Sequence, residues 1–131
     1  MIYLDSSALL KLLFEEPESE SLQDWLTARR GIPTVSSELA TVEVLRACRR
    51  IDAAAQPDAR TLLGQLDLVP LAGLVVRLAS DLDDPGLRSL DALHLASALS
   101  LGADLGTFVA YDHRLLEAAD RAGLETHAPG G

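Results

Sequence analysis

Four acidic residues lie at positions where an α/β chain has little structural need for a carboxylate: Asp5, Glu43, Asp91 and Asp112. Asp5 and Asp112 directly follow predicted strands, and open parallel sheets bind their ligands beyond the carboxyl ends of the strands. Acids gathered there repel one another unless a cation lies between them, and hard oxygen ligands suit Mg²⁺ or Mn²⁺. The pattern therefore predicts a divalent-metal site suited to phosphodiester chemistry.

Each acid also has a simpler explanation. Asp5 and Asp112 could cap the helices that follow them, because Asp at a strand–helix junction often accepts amide hydrogen bonds. Asp91 lies in the apolar segment Ser89–Leu101, which is predicted to be a buried helix. An acid in the first helical turn gains only about 0.3–1 kcal/mol from the helix dipole, whereas burying an unpaired carboxylate costs several times that. A bound cation resolves this conflict, so Asp91 favours the metal site over capping.

Glu43 is the strongest single candidate, because it lies inside the predicted helix Ser37–Ile51, where no cap explains it. Arg46 and Arg50 follow at three and seven residues, along the same border of the helix. One alternative is a solvated Glu–Arg pair of little energetic weight. The other is an acid turned into the crevice, with these arginines placed to meet phosphate. Arg114 is a third phosphate candidate, although it could equally be plain helix surface.

Two further polar residues accompany the acids. His94 comes three residues after Asp91. We expect a histidine that lies in the core or beside the metal ligands and holds a backbone group, rather than a metal ligand, since an oxygen-rich site suits a hard ion. Ser6 and its neighbour Ser7 could cap the first helix or hydrogen-bond a metal-bound water. The sequence alone leaves both roles open.

The elements that must position these residues alternate short apolar runs with helical segments, which predicts an α/β fold with a mostly parallel sheet. We expect one domain over residues 1–131, with 126–131 as a frayed tail. The predicted strands are Ile2–Leu4, Pro33–Ser36, Leu66–Leu71, Thr107–Tyr111 and a short last one at Leu124–His127. The predicted helices include Ser19–Arg29, Ser37–Ile51, Asp58–Gln65, Leu74–Ser80, Ser89–Leu101 and His113–Ala122.

Composition narrows the class of protein. With 48% hydrophobic residues the chain is globular, and its single cysteine, Cys48, is expected to be a small buried apolar residue. Its most apolar stretch, Leu68–Ala79, is interrupted by Pro70, Gly73 and Arg77, so no membrane span is expected. The chain opens directly on a strand, from which we expect no signal peptide and a cytoplasmic location.

The net charge of −9 argues against simple groove binding to nucleic acid, because such binders are usually basic. A nuclease that works through metal ions is compatible with this negative charge. All the Lys and Arg residues except Lys11 are arginines, whose planar guanidinium group pairs well with phosphate. The acidity also suggests a basic protein partner.

Four segments together resemble the PIN domain and, more narrowly, the VapC toxins of bacterial toxin–antitoxin pairs. They are Ile2–Lys11, Ser36–Arg46, Leu90–Ala98 and Phe108–Leu115. The resemblance spans essentially the whole chain, with the motifs in family order. It implies a three-layer α/β/α fold, a Mg²⁺- or Mn²⁺-dependent endoribonuclease that leaves 5′-phosphate and 3′-hydroxyl ends on its RNA substrate, and frequent homodimers. It also implies a VapB-type antitoxin that occludes the site.

Carried over by position, the resemblance makes Asp5, Glu43, Asp91 and Asp112 the acidic quartet and Ser6 the small hydroxyl residue beside it. Ala110 departs from the family, in which many members have Ser or Thr two residues before the last acid.

Three other functions would also use an acid after the first strand or an acidic surface. An aspartyl phosphatase would need a second Asp where Ser7 stands, and a phosphoacceptor domain would need a lysine near the last strands, whereas the only lysine is Lys11. The third is a catalytically silent acidic module that binds a basic protein, and divalent-metal-dependent RNA cleavage would distinguish it from a nuclease.

Overall fold

The computed structural model describes residues 1–131. A five-stranded sheet forms the centre of the fold. The strands are β1 (Ile2–Leu4), β2 (Thr34–Ser37), β3 (Asp67–Val69), β4 (Thr107–Val109) and β5 (Thr126–His127). Their order is β3-β2-β1-β4-β5, and every neighbouring pair is parallel. The prediction of a mostly parallel sheet is confirmed.

Helices cover both faces of this sheet. They are α1 (Ser6–Leu13), α2 (Ser19–Thr27), α3 (Leu39–Ile51), α4 (Gln56–Gly64), α5 (Gly73–Ser80), α6 (Ser89–Leu99) and α7 (His113–Arg121), with 3₁₀ turns at Ala53–Ala55 and Gly102–Asp104. None of them combines the length and the apolar character that a membrane span needs.

Two apolar clusters, one on each face of the sheet, make this a three-layer α/β/α fold. Ile2 and Leu4 of β1 pack with buried residues of α1 to α4, including Cys48, which is a buried apolar residue as predicted. Tyr3 points to the opposite face, as alternation along a strand requires, and packs with buried residues of α6 and α7. The predicted fold class is therefore confirmed.

The strand order places a ligand crevice beside β1. From β1 the chain builds outward through β2 and β3, then returns to lay β4 against the other side of β1. Such a reversal is a topological switch point, where open α/β sheets bind ligands at the carboxyl ends of the strands. The backbone N–H of Asp5 donates to the carbonyl of Val109 at 3.1 Å, so the residues that follow β1 and β4 emerge side by side.

Several boundaries differ from the sequence prediction for local reasons. Strand β3 ends at Val69, short of the predicted Leu71, because Pro70 has no N–H for the ladder. Ser37 belongs to β2, where it pairs with Val69, and its hydroxyl accepts from the N–H of Leu39, where α3 begins.

The last short strand predicted at Leu124–His127 is present over Thr126–His127, so these two residues do not belong to the frayed tail expected at 126–131. Thr126–His127 forms β5 against β4, because β4 would otherwise leave an unpaired edge. Beyond it, the Tyr111 hydroxyl donates to the carbonyl of Pro129 at 2.9 Å, which ties the tail to the end of β4.

Candidate active site

All four predicted acids line one crevice of about 250 Å³. It lies at the carboxyl edge of the sheet and takes residues from α1, α3, α6 and the loop before α7. Its lining residues are Asp5, Ser6, Ser7, Leu10, Glu43, Ala47, Arg50, Asp91, His94 and Asp112. Residues separated by more than a hundred positions in the sequence thus share a single concave site.

Asp5 caps a helix and lines the crevice at the same time. Its side chain is nearly buried, and Oδ1 accepts from the Ala8 N–H at 3.0 Å and from the Ser7 hydroxyl at 2.6 Å. Oδ2 makes no hydrogen bond to the protein. Burial raises the pKa of Asp5 and the charge of Asp91 adds to this, while His94 and the two hydrogen bonds oppose it. Capping therefore uses one oxygen of Asp5 and leaves the other without a protein partner.

Asp112 repeats this arrangement at the start of α7. Its Oδ1 accepts from the Leu115 N–H at 3.0 Å, and the other oxygen has no protein partner. The side chain is exposed at the rim of the crevice. Capping again leaves one carboxylate oxygen free.

Asp91 has no capping role. It lies in the first turn of α6, whose N-cap position is Arg88, and it makes no hydrogen bond. The residue is half-buried, and its pKa is raised, first by burial and next by the charge of Asp112. A half-buried carboxylate without a donor, beside a second carboxylate, is the least satisfied group in the crevice.

Glu43 is held by two hydrogen bonds, and neither comes from an arginine. The Ser6 hydroxyl donates to Oε1 at 2.7 Å, and His94 Nε2 lies 2.6 Å from the same oxygen. Burial by itself would raise the pKa of Glu43, but the hydrogen bonds from His94 and Ser6 outweigh it and lower the pKa. The solvated Glu–Arg pair considered from the sequence is wrong, because Glu43 pairs with His94.

His94 lies in a different setting from the one predicted. It is buried, as expected, but it contacts the Glu43 carboxylate and, through Nδ1, the Tyr3 hydroxyl at 2.7 Å, rather than a backbone group. Tyr3 is the residue that sequence reasoning missed. The available signal was a tyrosine on a buried strand, since a buried phenolic O–H needs a partner.

Comparison with known proteins agrees with this geometry. The PIN domain model matches residues 2–121. Ribonuclease VapC47 of Mycobacterium tuberculosis (strain CDC 1551 / Oshkosh) is 45% identical to this chain over 133 residues, which cover 99% of this chain and 98% of the relative. The chain belongs to the PIN-domain family. The resemblance of its four motifs to VapC proteins is confirmed.

Two solved structures show the same fold at low sequence identity. Mycobacterium tuberculosis VapC20, described as a Sarcin-Ricin loop cleaving toxin, superposes with a TM-score of 0.74 at 16% identity, covering 95% of this chain and 96% of that one. VapBC2 from Rickettsia felis, bound to a DNA fragment from their promoter, gives a TM-score of 0.70 at 15% identity, covering 98% of both chains. The three-layer architecture is thus that of PIN-domain proteins.

The predicted phosphate-binding arginines are distributed unevenly around this PIN-domain crevice. Arg50 lines it. Arg46 is exposed on α3 outside the crevice, and Arg114 lines a separate cleft with Glu117 and Arg121. Of the three, only Arg50 is brought to the acids, because a step of seven residues along α3 returns to the face that carries Glu43.

The acids fit a divalent cation by their chemistry, although their present side-chain positions do not enclose one. No group of three acidic or histidine side chains stands ready to hold an ion. Asp5, Glu43 and Asp112 each keep one carboxylate oxygen without a protein hydrogen bond, and Asp91 keeps both. Free carboxylate oxygens around a concave site are the donor set that Mg²⁺ and Mn²⁺ prefer.

Proposed function

We propose that this chain is a VapC-type endoribonuclease toxin that cuts RNA phosphodiester bonds with the help of Mg²⁺ or Mn²⁺. The observation that carries the proposal is the gathering of Asp5, Glu43, Asp91 and Asp112 in one crevice at the switch point of a parallel sheet. The relatives named as VapC ribonucleases, one of them 45% identical over nearly the whole chain, support the reaction type.

The acids would hold the ion, with Asp5, Asp91 and Asp112 as the first ligands and Glu43 beside them. A bound divalent ion lowers the pKa of a water molecule and stabilises the charge that develops on the phosphate. Arg50 lies on the wall of the crevice, where its guanidinium can pair with a phosphate of the RNA backbone. Hydrolysis of this kind leaves a 5′-phosphate and a 3′-hydroxyl.

The alternative of a catalytically silent acidic module is weaker. Such a module needs acids on an accessible surface, yet Asp5 is 4% exposed and Glu43 is turned towards Ser6 and His94. Desolvating these groups is costly, and a surface for a basic partner does not require it.

We also propose a VapB-type antitoxin as the partner, supported by the structural likeness to VapBC2 and by the net charge of −9. A basic side chain of the antitoxin would enter the acidic crevice in place of the metal. Of the apolar residues on the early helices, Leu9 and Leu22 are fully buried and are not available to a partner. A groove of about 810 Å³ beside the α1–α2 loop is lined mostly by polar residues, including Glu15, Glu16 and Glu20, with Leu13 and Phe14 in its apolar part. A homodimer stays a prediction.

The test is to express the wild type and Asp91→Asn in a bacterial host, with and without the neighbouring antitoxin, and to sequence RNA ends. Asp91 is the residue to change, since it makes no hydrogen bond that the fold would lose. We expect new 5′-phosphate ends only with wild type and only without antitoxin. The same ends in cells that express Asp91→Asn would contradict the proposal.

A further inference from the structure

One oxygen of Glu43 is held in place by two buried groups from different helices. Ser6 of α1 donates to Oε1 at 2.7 Å, and His94 of α6 contacts it at 2.6 Å. Both residues are buried, whereas the Glu43 side chain keeps 26% of its surface exposed. The carboxylate is thus fixed on its inner side and open on its outer side.

The contact chain continues from His94 into the core. The Tyr3 hydroxyl lies 2.7 Å from Nδ1, and the two rings meet edge to face, with centroids 6.0 Å apart at 79°. Tyr3 is fully buried and stacks on Phe108, with centroids 5.2 Å apart and planes within 7°. The orientation of the imidazole is therefore set by a rigid aromatic pair in the centre of the sheet.

The donors and acceptors along this chain agree with one assignment. A proton on Nε2 donates to the Glu43 carboxylate, so Nδ1 accepts the hydrogen of the Tyr3 hydroxyl. Tyr3 thereby selects the form of His94 that can hold Glu43.

We propose that His94, oriented by Tyr3, is a positioning residue that fixes one oxygen of Glu43 and thereby leaves the other for a divalent cation. The inference rests on the proposed function, because it assigns a purpose to Glu43 in metal binding. A histidine that only fills the core would stabilise the fold without affecting metal affinity through Glu43. Partners that orient a metal ligand typically contribute about 10–100-fold in metal affinity or activity.

The experiment measures Mn²⁺ binding by calorimetry to the metal-free protein and to five variants. Tyr3→Phe deletes one oxygen and keeps the ring stacked on Phe108. His94→Leu removes the contacts of Nε2 with Glu43 and Ser6 and the contact of Nδ1 with Tyr3. His94→Gln restores a donor near the position of Nε2. Glu43→Ala and the double variant Glu43→Ala/His94→Leu complete a double-mutant cycle, which isolates the coupling between the two side chains.

We expect His94→Leu to weaken Mn²⁺ binding by roughly 10–100-fold, Tyr3→Phe to weaken it less, and His94→Gln to recover part of the loss. In the Glu43→Ala background, His94→Leu should cause no further loss. We also expect saturating Mn²⁺ to recover most of the RNA cleavage rate of Tyr3→Phe, because the chemistry itself is intact.

An equal loss from His94→Leu in both backgrounds would overturn the inference, because His94 would then act independently of Glu43. Unchanged Mn²⁺ affinity in a folded Tyr3→Phe and His94→Gln would overturn it as well. If His94→Leu does not fold, Tyr3→Phe and His94→Gln decide the question. Failure of the wild type itself to bind Mn²⁺ is a separate result, which refutes the metal-dependent function and this inference with it.

Discussion

Replacing Asp5 with Asn should stabilise the metal-free protein at neutral pH while abolishing RNA cleavage. The carboxylate is 4% exposed, and burial raises its pKa above the ordinary value of 3.8. Folding therefore favours the neutral acid, and the ionised form costs stability. Asparagine keeps the shape and the acceptor oxygen that caps α1, but it carries no charge.

The magnitude follows from linkage between ionisation and folding. Each unit by which the pKa of a buried acid is raised corresponds to about 1.4 kcal/mol of stability lost on ionisation. We therefore expect Asp5→Asn to melt above the wild type, and each kcal/mol gained corresponds to roughly 3–5 °C in melting temperature for a domain of this size. Asp5→Ala is the matched comparison. It removes the same charge but also the bonds from Ala8 and Ser7, and a lost N-cap costs about 1 kcal/mol, so it should melt below Asp5→Asn.

The assay is thermal unfolding followed by circular dichroism, in EDTA and in saturating Mn²⁺. In EDTA the asparagine variant should melt highest. Mn²⁺ should then reverse the order, because a ligand at 100 times its dissociation constant adds about 2.7 kcal/mol to the wild type and little to a variant that lacks the ligand oxygen.

The pH dependence provides the control. As pH rises past 3.8, the unfolded carboxyl ionises before the native one, so the stability of the wild type falls relative to Asp5→Asn until the native carboxyl has ionised too. The gain should therefore be largest at neutral pH and should shrink towards pH 4. A gain that is independent of pH, or an asparagine variant that is less stable than wild type in EDTA at pH 7, would refute the reasoning.

Three further predictions concern Arg50 and Ser6, which line the crevice, and Lys11, which lies outside it. Arg50→Ala should raise the KM for RNA and reduce the slope of binding affinity against salt concentration, on a log–log plot, by about one. Arg114→Ala, on a separate cleft, should leave both unchanged. Equal effects of the two variants would contradict the proposed role of Arg50 in binding phosphate. Ser6→Ala removes one hydrogen bond to Glu43. The free energy of unfolding, measured with a chemical denaturant, should therefore fall by about 1 kcal/mol, and RNA cleavage at limiting Mn²⁺ should slow. Unchanged cleavage would show that Ser6 does not help to hold Glu43. Lys11→Met breaks the ion pair with Glu18 and the contact with the Tyr111 ring. The melting temperature should therefore fall, while RNA cleavage should stay unchanged. Loss of cleavage in a folded variant would contradict a purely structural role for Lys11.

The sequence predicted the acids of the crevice well because their positions depend on strand ends and helix faces. Asp5 and Asp112 follow strands that meet at one edge, and no cap explains Glu43. For Asp5 and Asp112, the sequence left capping and site roles as alternatives. The structure shows that capping uses one oxygen of each carboxylate and leaves the other free, a distinction that only atomic positions provide.

Other features depended on packing between elements that are far apart in the chain. His94 contacts Tyr3 across 91 positions and Glu43 across 51, and no local pattern encodes such contacts. Arg114 follows Asp112 closely, yet the rotation of α7 directs it to another cleft. Local backbone chemistry explains one boundary that the sequence prediction missed, because Pro70 ends β3 at Val69 rather than at the predicted Leu71.

The most direct test of the account is single-turnover cleavage of an end-labelled RNA by purified protein, with Mn²⁺ titrated from zero in the presence of a chelator. Wild type and the double variant Asp5→Asn/Asp91→Asn are compared at equal concentration, after circular dichroism shows that both are folded. We predict that wild type cleaves only when Mn²⁺ is present, leaving 5′-phosphate ends, and that the double variant does not cleave at any Mn²⁺ concentration. Cleavage by wild type in chelator, or by the folded double variant, would contradict the claim that these acids form a metal-dependent nuclease site.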